Sequence, residues 1–172
     1  MIDRVGQYGE KTAIILSALV FGLLHQNLFQ FFYAFALGLV FAYIYTRTGR
    51  LRYPILLHAI VNFMGSVIAP WILSLVDMEA LENLDPMLPT EQLLEKYMEM
   101  LPGLLALFGY LFCYLGLAFA GFVLLLIVWG RLEFKEAPAQ LPKGTAAKTV
   151  YLNVGMVLYI LLCLSAFVLA LF

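Results

Sequence analysis

The sequence contains little charge and little histidine. Charged residues make up 12% of its 172 residues, only two histidines are present, and 64% of the residues are hydrophobic. Soluble domains average about 25% charged and roughly 45–50% apolar residues. The composition therefore excludes an ordinary soluble domain and indicates an integral membrane protein whose surroundings are lipid. Nucleic acid is not an expected partner.

Cysteine and targeting signals are also scarce. The two cysteines, Cys113 and Cys163, lie in separate apolar runs, so a disulfide framework is not expected. The start, MIDRVGQYGEKT, is polar and shows no cleavage-site pattern before the first apolar run, so a signal peptide is not expected there.

The apolar residues form five long segments, which predicts an all-α, polytopic transmembrane bundle of about five helices. A helix that spans the hydrocarbon needs about 20 residues, with a range of roughly 17–25. The last three segments reach this length, and the first two are shorter and predict a tight hairpin around residues 26–28. Small residues four apart, Ala18 with Gly22 and Gly116 with Ala120, predict close helix packing. The segments cover about 12–26, 29–46, 53–76, 103–130 and 149–172.

Charge is segregated between the connections. With alternating helices, residues 47–52 and 131–148 fall on the side of the N-terminus, and this side holds nine of the ten Lys and Arg residues. The positive-inside rule makes it cytoplasmic. The connection 77–102 carries seven acids and one base, Lys96, so it is predicted to be external, and so is the C-terminus. The expected location is a plasma membrane, of bacterial type.

The acidic connection contains a helix signal of its own. Pro89 and Thr90 precede an amphipathic stretch, which predicts a short surface helix up to about residue 101. The chain is accordingly divided into a membrane core at 1–76, an acidic external loop at 77–102, and two further membrane helices at 103–172.

Both histidines lie inside apolar segments, where an imidazole is costly and is usually retained for a function. Phe21 precedes His25 by four residues, and Asn62 follows His58 by four. Residues four apart share a helix face, so each pair can act as a unit. Gln26, Asn27 and Gln30 add polar groups next to His25. A neutral imidazole can ligate a metal, orient a water molecule or stabilise an oxyanion.

These residues carry a resemblance to a known family. FGLLH (Phe21 to His25) matches F-x-x-x-H, and HAIVN (His58 to Asn62) matches H-x-x-x-N. Together with the stretch YIYTRTGRLRYPILLHAIVNF, they look like the C-terminal half of the CAAX prenyl protease 2-like family, the CPBP or Abi intramembrane proteases. The resemblance covers residues 1 to about 66.

The resemblance implies an endopeptidase that works within the membrane on a membrane-anchored protein or peptide. It implies that a glutamate activates water, that His25 and His58 position this water or hold a divalent metal such as zinc, and that Asn62 supports the oxyanion. Phe21 and Asn27 would support the site. The family has been described both as metal-dependent and as glutamate-based, and the residues leave both mechanisms open.

The sequence departs from the family pattern in one respect, because it contains no E-E-x-x-x-R motif. The only acids before His25 are Asp3 and Glu10. We expect that the chain begins downstream of that motif and that it hydrolyses peptides poorly by itself, since it lacks a general base. Glu10 is the alternative base.

The depths of the two histidines differ. His25 lies about 21 Å along its helix from Lys11, and His58 only about 9 Å from Arg52, at 1.5 Å per residue. A shared site needs tilt or a turn at 26–28 below the membrane surface. Two other functions stay open: a non-catalytic peptide-binding or immunity-type membrane protein, and a bis-histidine haem protein.

Overall fold

The computed structural model describes residues 1–83, 85–137, 142, 145 and 147–169. All regular structure in these ranges is helical, which confirms the all-α prediction. Among the described residues, three helices are long and apolar enough to cross a membrane, so the protein is a helical membrane bundle. Lys143 and the last three residues of the fifth apolar segment lie outside the described residues. The three helices are Leu28–Thr48, Arg52–Leu73 and Thr90–Arg131.

The distribution of long and short helices differs from the prediction. The second apolar segment forms a full-length helix of 21 residues, because Asn27 caps its start and it continues to Gly49, where φ is 63°. A glycine tolerates this left-handed backbone, which is a common helix end. The fifth segment forms a helix of only 16 described residues, Val154–Leu169. Apolar run length therefore underestimated the helix of the second segment.

The chain divides into two compact units, Met1–Leu57 with Glu133–Phe172, and His58–Leu132. The first unit begins with a short helix α1, Ile2–Val5, and a 3-10 turn, Gly6–Tyr8. Helices α2, Glu10–Leu23, and α3, Leu28–Thr48, then form an antiparallel hairpin. The division of the sequence at residues 76 and 102 stays a prediction.

The α2–α3 hairpin packs through small residues. A Cβ on Gly38 would lie 2.9 Å from the Cα of Ala18, and a Cβ on Gly22 would lie 3.2 Å from atoms of Phe31 and Phe35. Ala18 and Gly22 are both buried. The packing role predicted for this pair is therefore confirmed, since small residues permit such close backbone approach.

Helix α8, Val154–Leu169, belongs to the first unit and follows a π-helical turn, Ala147–Tyr151. The hydroxyl of Tyr151 donates to the carbonyl of Thr12 at 3.3 Å, and that of Tyr159 donates to the carbonyl of Val20 at 3.0 Å. The later of the two tyrosines bonds to the later of the two residues in α2, so α8 runs parallel to α2. The core between them contains Leu16, Val150 and Met156.

The second unit contains the second half of the helix that carries His58. This helix, α4, runs over Arg52–Phe63, and its residues up to Leu57 belong to the first unit. It continues through a π-turn, Met64–Ile68, into α5, Ala69–Leu73. The hydroxyl of Tyr110 donates to the carbonyl of Met64 at 3.1 Å. The unit is completed by α6, Met78–Glu82, by α7, Thr90–Val128, and by a 3-10 turn, Trp129–Arg131.

Helix α7 corrects the prediction of a separate helix in the acidic loop. It begins at Thr90 as predicted but continues through Pro102 to Val128. A proline inside a helix removes one backbone hydrogen bond, yet the helix is held here by close packing. A Cβ on Gly103 would lie 2.1 Å from the carbonyl oxygen of Leu75, so only a glycine permits this contact.

The second small-residue pair meets no other helix among the described residues of its own unit, and its packing role stays a prediction. A Cβ on Gly116 would meet nothing within 4 Å, and Ala120 is exposed. Within the described residues of the second unit, the contacts to α7 that the structure shows lie nearer its start, at Gly103 and at Tyr110.

Candidate active site

The imidazole of His25 is held by the last turn of α2. This turn tightens, since the backbone N–H groups of His25 and Gln26 bond to the carbonyls of Gly22 and Leu23, both at 3.2 Å. The carbonyl of Phe21, which the His25 N–H would reach in a regular α-helix, lies instead 2.9 Å from Nδ1 of the His25 ring. Terminal helix carbonyls need such partners. The side chain of His25 thus caps its own helix.

This hydrogen bond fixes the tautomer of His25. A carbonyl oxygen can only accept, so Nδ1 carries the proton, and Nε2 of the neutral ring is left with its lone pair. Nε2 is the atom that can accept a proton or bind a metal.

Aromatic rings of the hairpin surround His25. Its ring lies edge-to-face against Phe21, with centroids 5.0 Å apart, and against Tyr33 of α3 at 6.4 Å. Phe21 in turn contacts Phe41 at 5.9 Å. The side chain of His25 is half-buried. Phe21 therefore supports His25 twice, through its carbonyl and through its ring.

The turn after His25 forms the tight hairpin that the sequence predicts. Gln26 adopts a left-handed backbone with φ 52°, and the side chain of Asn27 accepts the N–H of Gln30 at 3.1 Å as the cap of α3. Helix α2 has 14 residues, or about 21 Å, which is shorter than the ~30 Å of hydrocarbon. If α2 begins at one membrane surface, the turn at Gln26 and Asn27 therefore lies within the membrane, before the opposite surface is reached.

His58 and Asn62 form the second pair. Nδ2 of Asn62 lies 3.1 Å from Nε2 of His58. An amide nitrogen can only donate, so Nε2 accepts and the proton of the His58 ring lies on Nδ1. His58 is half-buried and Asn62 is exposed. Both histidines therefore carry Nδ1–H, but the lone pair of His58 is occupied by Asn62.

The structure divides the five predicted site residues into two groups, one in each unit. Phe21, His25 and Asn27 belong to the first unit, and His58 with Asn62 to the second. A pocket shared by the two histidines stays a prediction.

The arrangement fits a metal poorly. Catalytic zinc sites use three protein ligands and a water, and in the part of the chain that the structure describes no three His, Cys, Asp or Glu side chains gather to hold an ion. Nε2 of His25 suits a ligand, whereas Nε2 of His58 is engaged by Asn62. The same bond disfavours bis-histidine haem ligation. We derive no chemical step through a metal, and the zinc stays a prediction.

Glu10 is not placed to act as the base for His25. It is 7% exposed, forms an ion pair with Arg47, and accepts the backbone N–H of Lys135 at 2.8 Å. It begins α2, whereas His25 follows its other end. Fifteen residues of helix separate them by about 22 Å.

Glu10 and Arg47 instead form a clamp with residues 133–135, which we call the Glu10 clamp. Arg47 also donates to the carbonyl of Glu133 at 2.6 Å. The ring of Phe134 lies between Lys11, at 4.9 Å, and Tyr43, at 6.0 Å. The start of α2, the end of α3 and residues 133–135 therefore meet at one end of the first unit, as the alternation of helices predicts for the two basic connections.

Comparison with known proteins agrees with the motifs. Residues 1–64 match the family model described as Rce1-like, type II CAAX prenyl endopeptidase. The match ends two residues after Asn62 and contains all five predicted site residues. It confirms the resemblance to the CAAX protease family over this segment. No curated protein and no solved structure gives a significant match.

Proposed function

We propose that this chain carries the imidazole and amide groups of an intramembrane endopeptidase of the CAAX type, which cleaves a membrane-anchored protein or peptide with activated water. The observation that supports this proposal is the different hydrogen bonding of the two histidines within the family-matched segment. His25 keeps the lone pair of Nε2, whereas His58 accepts a hydrogen bond from Asn62.

In this proposal His25 orients the attacking water. Nε2 accepts a hydrogen bond from the water and so orients it, while Nδ1–H stays bonded to the Phe21 carbonyl. This is the role of an orienting group. A single imidazole acting as the base would contribute typically 10²–10⁴-fold.

Asn62, which is held by His58, donates a hydrogen bond to the carbonyl oxygen of the scissile bond. The amide of Asn62 has two N–H donors and uses one of them on His58. Because the amide group is planar, the bond to His58 also fixes the direction of the second N–H. Such a preorganised donor stabilises the oxyanion of the tetrahedral intermediate and is worth about 10²–10³-fold in kcat.

The element that the sequence lacks is the glutamate. Glu10 is the only acid in α2, but it lies at the end opposite His25 and is occupied by the clamp. We therefore propose that the chain alone binds peptide but cleaves it poorly, and that a helix bearing E-E-x-x-x-R restores cleavage. A non-catalytic peptide-binding function is the second candidate, which the occupied state of Glu10 favours.

The test compares two proteins in liposomes with a membrane-anchored peptide. One is this chain, and the other is the same chain preceded by a membrane helix that carries E-E-x-x-x-R. We expect cleavage only by the extended form, its loss in His25→Ala and His58→Ala, and a decrease of about 10²–10³-fold in Asn62→Ala. Asn83→Ala, in the exposed segment after α6, is the matched control and should retain full activity.

Two results would contradict the proposal. Full cleavage by the chain alone would show that another residue supplies the base. Peptide binding without cleavage in both forms would favour the binding function.

A further inference from the structure

We infer that Tyr159 is a positioning residue for His25: it anchors, from the last helix, the turn that orients the imidazole. This inference rests on the proposed function for its catalytic meaning, because it assigns a role to α8 in the site of His25. Tyr159 lies far outside the family-matched residues 1–64, and the motifs give no indication of it.

The anchoring is direct. The hydroxyl of Tyr159 donates to the carbonyl of Val20 at 3.0 Å, and the same carbonyl accepts the N–H of Leu24 at 3.0 Å. A carbonyl has two lone pairs and can accept both. The next carbonyl along the chain, that of Phe21, accepts Nδ1–H of His25. Tyr159 thus holds the carbonyl of Val20, which immediately precedes the Phe21 carbonyl that fixes the tautomer of His25.

The end of α2 needs such an anchor. The turn tightens after Val20 and leads into the left-handed backbone of Gln26, so the last carbonyls have few backbone partners of their own. Terminal turns fray when nothing holds them. Because the imidazole of His25 is fixed to a carbonyl of this turn, any rotation of the turn also rotates the ring.

The chain contains an internal control for this role. Tyr151 and Tyr159 are eight residues apart, and so are the carbonyls to which they donate, those of Thr12 and Val20. Both tyrosines are half-buried and pack on the same core. The two hydroxyls therefore stabilise the α2–α8 contact in the same way, but only that of Tyr159 lies at the end that carries His25.

The experiment uses the fact that the sequence contains only two histidines. In a His58→Gln background, His25 is the only histidine, so ¹⁵N-histidine labelling in lipid bicelles gives one pair of ring signals. Their shifts report the ratio of the Nδ1–H to the Nε2–H tautomer. We compare Tyr159→Phe with Tyr151→Phe, and we measure the thermal unfolding of each.

We expect the Nδ1–H tautomer to predominate in the parent chain and in Tyr151→Phe. In Tyr159→Phe, the ratio should fall by about two- to tenfold, the effect of one ordinary hydrogen bond. Both variants should lower the thermal midpoint equally. A purely structural role predicts equal midpoints and an unchanged tautomer ratio in both, which would overturn the inference.

Two further outcomes also decide the matter. Equal changes of the tautomer ratio in both variants would show a general loosening of α2. A Tyr159→Phe chain that does not fold would show that the hydroxyl holds the whole unit rather than one turn. Because the tautomer is measured without substrate, failure of this inference is distinguishable from failure of the proposed protease, which is judged by cleavage alone.

Discussion

Removal of the negative charge of Glu10 should destabilise the first unit. Arg47 and the N–H of Lys135 donate to the same carboxylate oxygen of Glu10, so in Glu10→Gln the amide oxygen can still accept both bonds and the substitution removes only the negative charge. Arg47 is left partly buried and without its counter-charge. The substitution therefore tests whether the Glu10 clamp holds α2, α3 and residues 133–135 together.

The magnitude follows from the exposure of the pair. Breaking a buried ion pair by removing one partner costs about 3–5 kcal/mol, whereas exposed pairs contribute roughly 0–1 kcal/mol. The side chain of Glu10 is 8% exposed and that of Arg47 is 30% exposed. We therefore expect an intermediate cost of about 2–3 kcal/mol. For a chain of this size, that corresponds to a decrease of roughly 4–12 °C in the thermal midpoint.

The assay is thermal unfolding in detergent, followed by circular dichroism, together with limited trypsin digestion. Opening of the clamp should expose the bond after Lys135, so Glu10→Gln should be cleaved there faster than the parent chain. Glu91→Gln is the control, since Glu91 is exposed and lies outside the first unit, and it should change neither the midpoint nor the cleavage. In addition, Glu10→Gln combined with Arg47→Gln should cost less than the sum of the single changes.

One result would refute this reasoning. If Glu10→Gln unfolds at the temperature of the parent chain and resists trypsin equally, the ion pair contributes nothing to the unit. Glu10 would then be available for another role, and its exclusion as a base for His25 would rest on its distance alone.

Two further predictions concern packing and topology. Gly38→Ala should destabilise the α2–α3 hairpin by about 1–3 kcal/mol, since the added Cβ would lie 2.9 Å from Ala18. Thermal unfolding measures this loss. The control is Gly109→Ala, whose added Cβ meets nothing within 4 Å and which should not decrease the thermal midpoint. If the N-terminus is cytoplasmic, a cysteine at Thr90, in a chain without the native cysteines, should react with an impermeant reagent in intact cells. Labelling only after lysis would reverse the topology.

Much of the site could be predicted from the sequence because its contacts are local. Phe21 with His25, and His58 with Asn62, lie four residues apart, and helix geometry alone places such residues on one face. The turn at Gln26 and Asn27 follows from similar local rules, since an asparagine cap and a short polar break end one helix and start the next. The family motifs describe these same local pairs.

Less could be predicted where a contact depends on packing between distant segments. The continuation of α7 through Pro102 depends on Gly103 meeting the carbonyl of Leu75, and the length of α3 depends on where its caps lie. The hydropathy of either segment contains no such information, which is why the prediction of a separate surface helix was wrong.

The tertiary structure alone decided what Glu10 and Tyr159 do. Glu10 is 37 residues from Arg47 in sequence, and Tyr159 is 139 residues from Val20, so no local spacing rule relates them. The amino-acid sequence determined a helical membrane protein with two motif pairs, because hydrophobicity and four-residue spacing act within single helices. Only the packing of α8 and residues 133–135 on the α2–α3 hairpin decided that the buried acid is a structural clamp and that a tyrosine near the C-terminus anchors the turn of His25.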